Sequence, residues 1–186
     1  MTSIVYSVVL NALSVNRGLK CITQRIVTMI QIKITPEIIS RAKKKAASVG
    51  NLQGSITGSL SNVVGAIGEV IVKDYVGGSD ANNKDYDLIV GNKRVDVKTK
   101  RCNTTPSPNY DCSVSAHGTK QDCDSYVFVR ILTDHSKAWI LGEIPKQTFY
   151  TKAIRYKVGD VDPSNGFVFK ADCYNLAIQE LEQINV

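Results

Sequence analysis

The residues with chemical potential lie within one short stretch, Tyr86-Asp87-Leu88-Ile89-Val90-Gly91-Asn92-Lys93-Arg94-Val95-Asp96-Val97-Lys98-Thr99-Lys100. Gly91 and Asn92 tolerate positive φ, and apolar-rich segments flank them, so the stretch predicts a tight hairpin. Along its second strand the side chains alternate. Val95, Val97 and Thr99 face one way, and Asp96, Lys98 and Lys100 the other. A carboxylate and an ammonium therefore stand about 7 Å apart along the backbone, on one face. A further acid, Asp87, sits on the neighbouring strand. Two strand carboxylates and a main-chain carbonyl, that of Val97, are the hard oxygen donors that Mg²⁺ or Mn²⁺ takes while keeping several waters. Lys98 beside them could orient or deprotonate a water, or neutralise phosphate charge. The chemistry this set suggests is metal-dependent hydrolysis of a phosphodiester.

Elements on both sides must position that hairpin. Thr35-Pro36-Glu37 predicts a helix start: a capping hydroxyl, a proline suited to the first turn, and an acid that complements the dipole. This helix should run to about Val49 and stop at Gly50. It carries Arg41, Lys43, Lys44 and Lys45, either a solvated basic face or a contact for nucleic-acid phosphates. Asn51–Ser59, rich in Gly, Ser and Thr, reads as a loop. A second helix is expected from about Leu60 to Val76, ended by Gly77-Gly78. Leu60, Val63, Val64, Ile67, Val70, Ile71 and Tyr75 supply its core stripe, and Asn62, Gly65, Glu69 and Lys73 the opposite one. Gly65 and Gly68 cost helix propensity, which implies a compensating close approach of another strand or a ligand.

Downstream, Tyr110, Cys112, Val114 and Ala116 predict a third strand following the hairpin as a meander. Tyr126–Leu132 predicts a buried strand, and Ala138–Ile144 another. Pro145–Phe149 suggests one helical turn. Asp160–Gly166 is turn-rich, and Asp172–Ile184 reads as a terminal helix on Leu176, Ile178, Leu181 and Ile184. The expected class is α+β: a central mixed sheet with a three-strand antiparallel meander flanked by helices. Residues 29–186 would make one domain. Residues 1–28 contain no acid and look like an N-terminal extension, whether a strand, a helix or a leader-like segment.

At 186 residues, with 43% hydrophobic and 22% charged side chains, the composition is that of a globular chain able to bury a full core. A net charge of +6 makes a polyanion a plausible partner. No run reaches the ~18 apolar residues of a membrane span. The first charge is Arg17, too late for the positive start of a secretory signal. Five cysteines without a C-x-x-C pair favour reduced thiols, hence a cytoplasmic setting. Cys112, His117 and Cys123 match no common zinc spacing.

Glu69 on a helix, then Tyr86-Asp87, then Asp96-Val97-Lys98 resembles the PD-(D/E)xK nuclease superfamily over roughly residues 60–145. The resemblance implies a restriction-endonuclease-like core, DNA as substrate and Mg²⁺ or Mn²⁺ as cofactor. By it, Glu69 is the helix acid, Asp87 the strand acid, Asp96 the second ligand and Lys98 the lysine, with the Val97 carbonyl completing the metal set. Tyr86 stands where the superfamily often has proline, and Asp85 competes with Asp87 for the ligand role. Lys43, Lys44, Lys100 and Arg101 are the expected nucleic-acid contacts. A homodimer is an expected assembly, since nucleases that cut both strands often pair, and a phage-type small nuclease in the host cytoplasm is the implied setting. The competing reading is a non-catalytic nucleic-acid-binding or assembly protein on the same fold.

Overall fold

Thr35 caps the first helix as its hydroxyl permits: Oγ1 accepts from the Ile38 amide at 3.3 Å. Gly77, at φ +71°, turns the chain out of the second helix. The structure is a computed structural model and describes residues 7–9, 28–49, 59–81, 83–163 and 165–184. The expected stop at Gly50, the loop over 51–58 and the side chains of Leu60 and Asn62 lie outside the described residues, as does most of 1–28.

The elements in order are β1 (Ser7–Val9), β2 (Met29–Lys33), α1 (Pro36–Val49), α2 (Ser59–Val76), β3 (Ser79–Asp80), β4 (Leu88–Val90) and β5 (Lys93–Cys102). Then come β6 (Asp111–Ser115), β7 (Ser125–Leu132), β8 (Lys137–Pro145), α3 (Lys146–Lys152), β9 (Ile154–Tyr156) and β10 (Cys173–Ala177). Among the described residues the main sheet has the order β1-β2-β8-β7-β5-β4-β3, and β6-β10-β9 form a second, smaller sheet. In the main sheet β5 and β7 run parallel in register Val95↔Ser125 to Cys102↔Leu132, whereas the remaining pairs are antiparallel. This is a mixed α+β architecture.

The main sheet is apolar on both faces. Val95, Val97, Val127, Val129, Ile131 and Ile140 pack against α1 and α2. Tyr126, Phe128, Trp139 and Leu141 pack under the small sheet and α3, with Phe149, Leu176 and Ile178. Helices thus cover one face, and mostly strands the other.

Two sequence expectations are corrected here. The meander does not continue into β6. The far edge of β5 is taken by β7 in parallel, and a parallel neighbour requires a crossover. β6 lies within that crossover and pairs with β10 instead. The antiparallel run beside the hairpin is completed upstream, by Ser79–Asp80 on β4. The terminal helix over 172–184 is likewise absent: Cys173–Ala177 is a strand and Ile178–Glu180 a 3₁₀ turn. Tyr174, Leu176 and Ile178 recur at period two and share one apolar cluster, so the strand period prevails over the helical spacing of Ile178, Leu181 and Ile184. Ser7–Val9 pairs with β2 as the sheet's edge, so part of the N-terminal segment joins the domain.

The two α2 glycines separate on inspection of their surroundings. A Cβ on Gly68 would lie 1.9 Å from Thr99 Oγ1, so the helix seats on β5 only because that side chain is missing. On Gly65 the nearest atom would be Glu69 Oε1, at 3.9 Å. Urea denaturation should therefore show Gly68→Ala destabilised by about 1–3 kcal/mol. Gly65→Ala should gain up to about 1 kcal/mol from helix propensity. Equal shifts for both would show that α2 does not seat on Thr99 as described.

Candidate active site at the open edge of β5

Gly91, at φ +60°, closes the predicted hairpin with Val90 opposite Lys93. Arg94 fastens it to the start of β7. Its main-chain and side-chain nitrogens reach Asp124 at 2.8 to 3.1 Å, and its guanidinium also pairs with Asp122. β4 begins only at Leu88, so β5 loses its neighbour beyond Val95. Asp87 fills the next place. Its amide donates to the Val95 carbonyl at 2.9 Å, and its Oδ2 accepts from the Val97 amide at 2.7 Å. In a strand the N–H and C=O of one residue point to the same edge, so the Val97 carbonyl faces the edge where Asp87 sits.

Asp96 and Lys98 project to the small-sheet side. Their ion pair is 2.5 Å long, with Asp96 only 4% exposed. Gln121, from the turn before β7, bridges them: Lys98 Nζ donates to its Oε1 at 3.1 Å, and its Nε2 donates to Asp96 Oδ1 at 3.2 Å. The Gln121 carbonyl in turn accepts from Lys146. Lys98 also stands 5.7 Å from the centroid of the Tyr126 ring.

Glu69 approaches from the opposite face, on α2. Burial, then the charges of Glu69 and Asp96, push the Asp87 carboxyl well above the ordinary carboxylate range, although the Val97 amide and Lys98 pull it down. Glu69, Asp87, Asp96 and Lys98 thus share one electrostatic field. The sequence placed Asp87, Asp96 and Lys98 on one face of a hairpin and Glu69 on a helix; the four gather instead around a strand edge, with Asp87 in the edge position. Asp87, not Asp85, is the acid held there, for the contact made near Asp85 is its own amide to Asn83 Oδ1 at 2.8 Å.

Could these residues hold a hard cation? Asp96 Oδ2 is buried, carries the Lys98 ion pair and accepts no hydrogen bond. Asp87 is crowded by like charge. Both features suit a cation, and the donors are all oxygen. Among the described residues no three His, Cys, Asp or Glu side chains lie close enough to form a metal-binding group. The set offered is two carboxylates and a main-chain carbonyl, with Glu69 turned to Lys45 at 2.7 Å.

Lys45 is the residue sequence reasoning placed in the wrong company. Its ammonium also meets Asp80 at 2.6 Å, and Asp80 pairs in addition with Lys73. At 100° per residue, Lys45 lies on the rim of the α1 face that buries Ala42, whereas Lys44 points outward and Lys43 occupies the other rim. Lys43 and Lys44 are exposed and are not brought to the acids. Lys100 and Arg101 continue β5 away from them. Gln121, just before β7, has no sequence signal that names its partners, Asp96 and Lys98.

Among the described residues no helix is long and apolar enough to cross a membrane, and Cys102, Cys112, Cys123 and Cys173 are free thiols. The chain matches no protein-family model and no curated protein.

Proposed function

We propose that the protein is a divalent-metal-dependent deoxyribonuclease of restriction-endonuclease-like fold, hydrolysing phosphodiester bonds at the open edge of β5. The observation that carries this reading is the convergence of Glu69, Asp87, Asp96 and Lys98 on that edge, with the Asp87 carboxyl pushed up by burial and then by its like-charged neighbours.

Asp87, Asp96 and the Val97 carbonyl would hold Mg²⁺ or Mn²⁺, and Glu69 would act as the outer acid. When bound, the cation makes water a better nucleophile and offsets charge on the phosphoryl group. The Lys98 ammonium orients the attacking water and offsets charge on the phosphoryl group, and the water's proton passes to solvent as its oxygen bonds to phosphorus. The bond from phosphorus to the leaving oxygen breaks, and that oxygen takes up a proton from solvent. Gln121 fixes the Lys98 ammonium relative to Asp96.

Supercoiled plasmid tests the proposal. Nicking in Mg²⁺ or Mn²⁺, lost on chelation, is the expected result. A second reading has its own observation: Lys98 and Lys45 already neutralise Asp96 and Glu69 from within the protein. That suits a non-catalytic DNA-binding or assembly protein on this fold. DNA binding with no nicking, and no heat of Mn²⁺ binding by calorimetry, would select it.

A further inference from the structure

Beyond the acids, the open edge of β5 continues into a half-open cleft of about 270 Å³. Lys100 from β5, Arg130 from β7 and the start of β6 line it, next to Lys98. Arg130 is only 8% exposed, yet its guanidinium donates to a neutral group, the Asp111 carbonyl, at 2.5 Å. Among the described residues neither Arg130 nor Lys100 forms an ion pair. The acid whose charge acts on both is Asp111, and its Oδ2 is engaged by Asn175 Nδ2 at 3.1 Å. Enclosure of its ammonium in the cleft, and next the Arg130 charge, push Lys100 below its ordinary value, while Asp111 opposes the shift. A buried guanidinium without a carboxylate is costly, and a bound anion relieves that cost.

We propose that the Lys100–Arg130 cleft is a phosphate-binding subsite that takes the backbone phosphate adjacent to the one presented to Asp96 and Lys98. Lys98 and Lys100 are two residues apart on one strand face, about 7 Å, a span of the order of one nucleotide step. Arg130 supplies the planar fork that phosphate oxygens accept from, and Lys100 the mobile point charge. The assignment of the phosphate to a nucleic-acid strand rests on the nuclease reading; the anion subsite itself does not.

Calorimetry with inorganic phosphate, in chelator and without divalent ions, tests the subsite independently of cleavage. One phosphate should bind per chain. Lys100→Gln should weaken it at least tenfold, and Arg130→Lys, which keeps the charge and loses the fork, should also weaken it. Lys100 as a residue is exposed although its ammonium is enclosed by the cleft, so its variant should fold even if the Arg130 variant does not; the thermal transition of each variant checks this. A 5′-phosphorylated thymidine dinucleotide should compete with phosphate. Against duplex DNA, the slope of log binding constant on log salt should fall by about 0.9 in Lys100→Gln. No phosphate binding, or equal binding by wild type and Lys100→Gln, would overturn the subsite. Phosphate binding without competition by the dinucleotide would overturn its assignment to a strand and leave a free phosphate as the ligand. If wild type binds phosphate and dinucleotide but never nicks plasmid, the subsite stands and the nuclease reading falls.

Discussion

Lys98→Ala and Asp96→Ala should both abolish plasmid nicking, by at least about a thousandfold, and yet differ in what else they lose. Placing a proton-transfer group contributes typically 10²–10⁴-fold, and charge stabilisation at the reacting centre a comparable factor. Lys98 places the water and supplies the charge stabilisation in the proposed mechanism. Asp96 is a ligand candidate, so Asp96→Ala should also lose the heat of Mn²⁺ binding. Lys98→Ala should keep it, or strengthen it, because the ammonium 2.5 Å from Asp96 Oδ2 competes with a cation for the same oxygen.

Stability separates the two variants as well. Removing Lys98 leaves Asp96, 4% exposed, with only Gln121 Nε2 as a hydrogen-bond donor. An uncompensated buried charge is destabilising. Removing Asp96 instead leaves Lys98, whose side chain is 26% exposed and can reach water. Thermal melts in chelator should therefore rank Lys98→Ala below Asp96→Ala, with Mn²⁺ raising the first more than the second. Nicking at the wild-type rate by both variants would remove the proposed site altogether.

What could be read from the chain, and what could not, follows from the range of each interaction. The hairpin was legible because Gly91 and Asn92 signal a turn locally and Val95, Val97 and Thr99 alternate around them. α1 was legible because Thr35 and Pro36 act within one turn. Pairing partners are not local. Nothing within Tyr110–Ala116 tells whether that strand extends a meander or crosses to a second sheet; the decision rests on β7 claiming the other edge of β5. The C-terminal misreading has a similar origin. Leu176, Ile178, Leu181 and Ile184 fit a helix, and only pairing with β6 and β9 makes the Tyr174-Leu176-Ile178 period the operative one. In the site, the identities of Glu69, Asp87, Asp96 and Lys98 came from spacing and the superfamily resemblance. That Asp87 and not Asp85 bonds the Val97 amide depends on where β4 begins, which a run of Asn, Lys, Asp and Tyr does not fix. Lys45 and Gln121 carry no motif signal, since a lysine on a basic helix and a glutamine in a turn are ordinary surface residues until their partners are in place.

The second large effect concerns Asp87. Asp87→Asn should lose cleavage as completely as Asp96→Ala, while making the protein more stable in chelator at neutral pH. The wild-type carboxyl is held above its ordinary range by burial and by Glu69 and Asp96. A carboxyl whose folded value exceeds the unfolded one, about 3.9, contributes its full stability below that value. The contribution is lost as pH rises through the folded value. Asn cannot ionise, and its Oδ1 can still accept from the Val97 amide as Asp87 Oδ2 does. The two proteins should therefore melt together near pH 4 and diverge as pH rises, with Asp87→Asn ahead by about 1 kcal/mol at pH 7. For a chain of this length that is about 2–4 °C. A divalent cation should close the gap by stabilising the wild type alone, and more strongly at higher pH, where the carboxyl no longer holds a proton that the cation must displace. If Asp87→Asn melts below the wild type at pH 7 in chelator, the acids do not crowd one another at the β5 edge, and the cation site has lost its electrostatic basis.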